Sequence, residues 1–176
     1  MTKVERIRIY SHFTAGAFLH IEDALDLSQP KLRLFAGRFK SGQGMGQYQD
    51  HYLDLADGRV LFTDLAYGRP VDWHEFKGSE RGGQLTAYRF QINSKQRGEE
   101  TSVFIELSSG PGQRSGPGIV KPAGKFSQSI NVHLTGWDAR KLGHAVLSYL
   151  NAYEVARMLA SGRQLPPYPT SGDTDR

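Results

Sequence analysis

Apolar and polar residues alternate through much of the chain up to Leu134, and beyond it the spacing changes to steps of three and four. Ile130, Val132 and Leu134 alternate with Asn131, His133 and Thr135, which predicts a strand over 127–134 with one buried face. From Leu142 the apolar positions recur at Val146, Tyr149, Tyr153, Ala156 and Leu159, one face of a long helix over 137–159. Thr135 suits the N-cap because its hydroxyl can accept an orphan N–H of the first turn, and Asp138 can complete the box. Gly162 tolerates the left-handed conformation past a helix end, and Pro166, Pro167 and Pro169 bar continuation.

Earlier in the chain the same period of two predicts strands over 6–13, 17–21 and 31–40, with a helical turn over 22–27 that Pro30 ends. The runs 47–55 and 59–67 flank Asp57-Gly58, a dipeptide suited to a tight turn, and together predict a hairpin. Residues 68–83 break the pattern and are expected to form a long connection with one helical turn around Trp73. Strands resume over 84–93 and 101–107, separated by a polar turn. Residues 108–125, rich in glycine, proline and serine, are expected to be a surface loop. The sum is an α+β chain, mainly β. About eight antiparallel strands form a curved or barrel-like sheet, with one long C-terminal helix on its face. The expected domain covers 1–165. Residues 166–176 carry too little apolar surface to offset ordering and are expected to form a flexible tail.

With 176 residues the chain fits one domain. No apolar run approaches the roughly 20 residues of a membrane helix, and the start, MTKVERIRIY, has no hydrophobic signal-type segment. The chain contains no cysteine, which excludes disulfides, thiolate catalysis and cysteine-held metal; a cytoplasmic location is expected. A net charge of +4 and a pI near 9.4 favour a polyanionic partner.

Three features bear on chemistry. Gly42, Gly44 and Gly46 form a GxGxG run, but it lies between strands rather than opening a helix, and no GK[ST] follows. It reads as a mobile hairpin connection that, beside Arg38 and Lys40, could cradle a polymer phosphate. The six histidines show no metal-ligand spacing such as HxH or HExxH, so neither metal nor other cofactor is expected. Asp72, Trp73, His74 and Glu75 form the densest polar cluster. They carry the alternative reading of a small-ligand-binding or enzymatic β-barrel with its site at that mouth.

Basic and aromatic residues interleave on several strands. Most such aromatics pack in a core, but a minority on an outer face would stack unpaired bases while arginine and lysine meet the phosphates. The candidates for that face are Arg33, Phe35, Arg38, Phe39, Lys40, Tyr48, Tyr52 and Arg89, with Arg114, Lys121 and Lys125 from the glycine-rich stretch. Two windows without an acid, 27–49 and 107–137, contain most of them. The expected partner is single-stranded DNA or RNA.

The strands over 84–93, 101–107 and 127–134, followed by the helix from Trp137, resemble the PC4 and Whirly group of single-stranded-DNA-binding proteins. In that group curved antiparallel strands are followed by a packing helix. The resemblance covers the C-terminal half. Whirly proteins repeat a four-strand-plus-helix unit, and here the first helix is expected to be missing or reduced to the Trp73 region. Their lysine-glycine strand motif has a counterpart only in Lys77-Gly78, expected in a loop, so no binding residue is carried over. Finally, Leu147, Leu150, Val155 and Met158 widen the helix's apolar face beyond one stripe. With no second long helix to cover them, a homo-oligomer joined through these helices is expected.

Overall fold

The computed structural model describes residues 6–40, 42 and 44–162. The tail expected over 166–176 lies outside them, as do Pro166, Pro167 and Pro169. The chain is α+β and mainly β, built as two successive units of antiparallel strands followed by a helix. The first unit holds β1 (Arg8–Phe13), β2 (Ala17–Ala24), β3 (Lys31–Lys40), β4 (Gly44–Asp54) and α1 (Leu55–Ala66). The second holds β5 (Asp72–Arg81), β6 (Gln84–Arg97), β7 (Glu100–Gly116), β8 (Ile119–Pro122), β9 (Gln128–Thr135) and α2 (Gly136–Ala160).

The first four strands pair in sequence order as one sheet. In the second sheet the order is β5-β6-β7, and the long β7 divides its far edge between two partners. Ser102 to Ser109 pair with β9, and Gly112 to Gly116 pair with β8. Inward side chains of the two sheets and the helices form one core, with Leu19, Ile21, Leu34, Leu53, Phe90, Ile105 and Ile130 essentially sealed from solvent. Among the described residues no helix is long and apolar enough to cross a membrane.

The end of α2 follows the sequence closely. Thr135 Oγ1 accepts from Asp138 N–H at 3.1 Å, its hydroxyl donates to Asp138 Oδ2 at 2.7 Å, and Gly162 takes φ +67° past the last turn. Lys141 above all, with Thr135 beside it, holds the Asp138 carboxyl below its usual range.

Five expectations are overturned. Residues 59–67 do not form the second arm of a hairpin. They belong to α1, whose buried residues Gly58, Leu61, Phe62, Leu65 and Ala66 follow helical steps of three and one. Asp57-Gly58 is therefore inside a helix, not a turn. The helical turn over 22–27 is absent because Glu22 to Ala24 continue β2 against β3. Residues 72–81 form β5 rather than a loop. The polar turn over 94–100 shrinks to the β6–β7 corner, since Arg97 still pairs with Glu100. The loop over 108–125 is mostly strand. There Val120 of β8 folds into a notch between Gly78 and Gly112, where an added Cβ would stand 2.2 and 2.6 Å from its side chain.

The sheets meet along a polar seam between β4 and β5. His51 Nε2 donates to Glu75 Oε1 at 2.5 Å, Lys77 reaches Asp54 at 3.0 Å and the Tyr52 carbonyl, and Lys31 pairs with the other Asp54 oxygen. This explains why β5 carries polar residues on its inward face. Asp54 is also the N-cap of α1, yet its side chain makes no cap bond because the two lysines hold it. Those contacts, that of Lys31 first, hold its carboxyl below the usual range.

A second polar tie anchors α2 to β2. Tyr149 Oη donates to Asp23 Oδ2 at 2.9 Å. Burial first, then the Asp23 carboxylate, pushes the phenol up to about 12. An unfolded tyrosine ionises near pH ~10, so above that the unfolded chain releases a proton that the folded one keeps. The tie is therefore fully present below about pH 10 and is lost as pH rises through about 12. Tyr149→Phe is expected to cost about 1–3 kcal/mol near neutral pH and to flatten the alkaline fall in stability. Thermal unfolding followed by circular dichroism at neutral and alkaline pH checks both.

Candidate nucleic-acid interface

The outer face of the first sheet is aromatic. Register places Phe13 opposite Phe18, Phe18 opposite Gly37, His20 opposite Phe35, and Gly37 opposite Tyr48, so these residues share one face across four strands. Their rings touch in sequence: Phe13–Phe18 at 6.1 Å, Phe18–His20 stacked at 4.6 Å, Phe18–Phe35 at 5.6 Å and Phe35–Tyr48 at 5.8 Å between centroids. Phe39 joins at 6.4 Å from Phe18. Gly37 makes this possible, since a Cβ there would stand 2.4 Å from the Phe18 ring. Phe13 and Tyr48 remain 60% and 58% exposed, so the layer meets solvent at both edges.

His20 lies within this layer, buried, with Nδ1 unpartnered. Burial first, and then Arg8, lowers its pKa, so the ring is held in the neutral form. At the end of the sheet Arg38, Phe39 and Lys40 line a groove of about 470 Å³ with Gly16, Gly44, Gly46 and Gln47. Arg38 and Lys40 are exposed and make no ion pair among the described residues. Of the GxGxG run, Gly44 and Gly46 stand on β4 and line this basic groove, while Gly42 precedes the strand; Gly42 and Gly44 both take φ +76°.

The other sequence-predicted residues fall in different settings. Arg33 lies 4.6 Å over the Phe35 ring and is bound to Glu22 at 2.9 Å and Asp50 at 3.0 Å. Burial opposes its charge, but those two carboxylates more than offset it and raise its pKa. Tyr52, opposite Arg33, stands half-buried beneath Arg6. On the second sheet Arg89 pairs with Glu106 and lies 4.8 Å from the Phe126 ring, with Nε unpartnered. Burial raises the Glu106 pKa, but hydrogen bonds from Ser108 and Arg89 outweigh it and leave the net shift downward. Arg114 pairs with Glu80, while Lys121 and Lys125 are exposed on β8 and the turn after it. The structure therefore brings Phe35, Arg38, Phe39, Lys40 and Tyr48 together and leaves Arg89, Arg114, Lys121 and Lys125 on the other sheet.

Sequence reasoning missed Phe13, Phe18 and His20. The available signal was the pair of aromatics flanking the tight turn after β1, which cross-strand pairing brings together. The Asp72 cluster does not converge. Strand alternation sends Trp73 and Glu75 inward and Asp72 and His74 outward. Asp54, Asp57 and Glu75 approach within 4.8 Å of one another, but Lys77 reaches Asp54 and Glu75 and supplies the positive charge there.

No protein-family model matches the chain, and no curated protein matches it by sequence. Solved structures do match. The chain is similar to WHY1 from Arabidopsis thaliana, with a TM-score of 0.54 and 14% identity over 94% of this chain and 98% of that one. It is similar as well to the plant transcriptional regulator PBF-2, with a TM-score of 0.53 and 14% identity over 92% and 90%. The fold is Whirly-like. At this identity the likeness establishes fold alone. It extends the Whirly resemblance from the C-terminal half to the whole chain, and α1 supplies the first helix that the sequence reading left out. Lys77-Gly78, expected in a loop, stands on β5.

Proposed function

We propose that the protein binds single-stranded DNA or RNA on the outer face of β1–β4. The observation that carries this is the aromatic layer from Phe13 to Tyr48, open to solvent at its edges and ending in a groove with Arg38 and Lys40, which have no ion-pair partner among the described residues. The inner rings of the layer bury one another, but Phe13 and Tyr48 at its edges keep more than half of their surface in water, which a stacked unpaired base would cover. Arg38 and Lys40 meet the phosphates, while Arg33 is committed to Glu22 and Asp50 and holds the face in shape. The Whirly-like fold supports the reading, as does the basic pI. Arg89, Arg114, Lys121 and Lys125 serve as a secondary basic region on the other sheet. A cytoplasmic setting belongs to the same reading.

Fluorescence anisotropy with labelled single-stranded oligonucleotides tests it. Binding is expected to weaken with salt. Tyr48→Ala is expected to cost about 1–3 kcal/mol. Replacing Arg38 and Lys40 by alanine is expected to flatten the salt slope by roughly 0.7 per cation. No binding at low salt, or full affinity in the Tyr48 variant, refutes the reading.

Self-association is part of the proposal, on a revised basis. α1 packs on α2 at Gly143, Leu150 is sealed in the shared core and Leu147 is partly buried against it, so the missing second layer comes from the chain itself. Val155, Met158 and Leu159 at the end of α2 remain 54%, 47% and 61% exposed. They form the contact through which two copies join. Light scattering after size exclusion reads the mass.

A further inference from the structure

A second feature lies away from the aromatic sheet. Between the end of α1, the start of α2 and the β6–β7 corner is a cleft of about 630 Å³, within the range that holds small ligands. Two aromatic residues stand in its lining almost unburied: Tyr67 is 71% exposed and Trp137 66%. Each carries a guanidinium at cation–π distance. Arg69 lies 5.4 Å from the Tyr67 ring centre and Arg140 lies 5.5 Å from that of Trp137. The α1–α2 packing brings the two pairs together, and Arg140 passes 3.7 Å from where a Cβ on Gly68 would stand. Arg140 makes no ion pair among the described residues, and Arg69 shares only an exposed one with Asp64 at 3.3 Å.

We infer that this cleft takes one unpaired nucleotide, its base against Trp137 and its phosphate between Arg69 and Arg140. An exposed indole flanked by a guanidinium offers a stacking surface and a phosphate donor side by side, the two features that a nucleotide presents together. Glu99 and Glu100 stand on the β6–β7 side of the cleft and turn the phosphate toward the arginines.

The cleft lies beside the edge strand of the first sheet: His133 lines it, and His12 of β1 donates from Nε2 to the His133 carbonyl at 3.0 Å. His12 shares the core side of β1 with Leu19, opposite the aromatic layer that Phe13 begins, so the nucleotide pocket is a separate site and does not rest on the proposed function.

Trp137 provides its own probe, since Trp73 is the other tryptophan in the chain. In a Trp73→Phe background, Trp137 emission is followed during titration with AMP, ribose 5-phosphate and an unlabelled single-stranded oligonucleotide. Parallel anisotropy uses the labelled oligonucleotide, with Trp137→Ala and Arg140→Ala made in the otherwise natural chain.

AMP and the oligonucleotide are expected to quench the emission and ribose 5-phosphate to leave it unchanged. Trp137→Ala and Arg140→Ala are each expected to weaken binding at least about fivefold, while Tyr48→Ala leaves AMP binding intact. Quenching by the oligonucleotide alone assigns the cleft to the strand, and quenching by AMP alone assigns it to a free nucleotide. If the oligonucleotide binds but neither it nor AMP changes the emission, the cleft proposal falls and the sheet reading stands. AMP quenching without any strand binding has the opposite meaning. Equal quenching by ribose 5-phosphate overturns the stacked base.

Discussion

Gly143→Ala is expected to destabilise the protein by about 1–3 kcal/mol, although the same change in an open helix stabilises by up to about 1 kcal/mol. The sign turns on what the new methyl meets. A Cβ at Gly143 would stand 2.4 Å from the Ala66 amide nitrogen and 2.6 Å from the Phe62 carbonyl oxygen, both backbone of α1. Backbone inside a helix cannot step aside, so the two helices must separate. That in turn loosens Leu61, Phe62 and Leu65 against Leu142 and Val146. Gly58→Ala is the internal comparison. Its Cβ meets Leu32 at 3.1 Å and Leu53 at 3.5 Å, in each case at a side-chain atom that can shift, so a loss well below that of Gly143→Ala is expected. Urea denaturation of the two variants beside the parent decides the matter. A Gly143→Ala protein as stable as the parent would show that close helix contact is not what holds α1 in place.

Replacing Leu150 and Leu159 separately by glutamate should give opposite outcomes. Leu150 is fully buried in the core, and a charge there must either be desolvated or open the core, at a cost of several kcal/mol. Leu150→Glu is expected to unfold the chain rather than yield a folded single subunit. Leu159 is 61% exposed on the free end of α2, so Leu159→Glu is expected to keep the fold and abolish self-association. Circular dichroism reads the first effect, and light scattering at micromolar concentration reads the second. A Leu159→Glu protein with the parent's mass removes the end of α2 as the contact.

Leu150 also marks where sequence reading stopped. From the sequence it falls outside a stripe running Leu142, Val146, Tyr149, Tyr153, Ala156 and Leu159, but the buried stripe is Ala139, Leu142, Gly143, Val146 and Leu150, and Ala156 and Leu159 are exposed. The second layer on α2 was not legible either, because α1 is disguised. Its Asp57-Gly58 looks like a turn, and its short apolar pattern fits a strand about as well as a helix. The glycine sits there because Leu32 lies beneath it, a fact that exists only in three dimensions. β5 was hidden for a related reason. Its inward residues Glu75 and Lys77 are polar because they face His51, Asp54 and the Tyr52 carbonyl across the seam. A strand whose buried partners are polar shows no apolar alternation. The far half of β7 was masked by Gly110 and Gly112, which close packing against Phe126 and Val120 requires.

The candidate surface divides in the same way. Phe35, Arg38, Phe39, Lys40 and Tyr48 were visible from local alternation of basic and aromatic residues along β3 and β4. Whether such residues face the core or water depends on which side the second sheet occupies, and alternation alone does not state that. Register with β2 brought Phe18 and His20 into the layer, and ion pairing with Glu22 and Asp50 took Arg33 out of the set of free cations. The strand over β9, the capped helix after it and the mainly antiparallel architecture follow from short-range chemistry: period-two alternation, a hydroxyl at an N-cap, a glycine past a helix end. The pairing of the two helices, the polar seam and the aromatic layer depend on residues far apart in the chain meeting at van der Waals distance, and only the folded arrangement of two sheets decides those meetings.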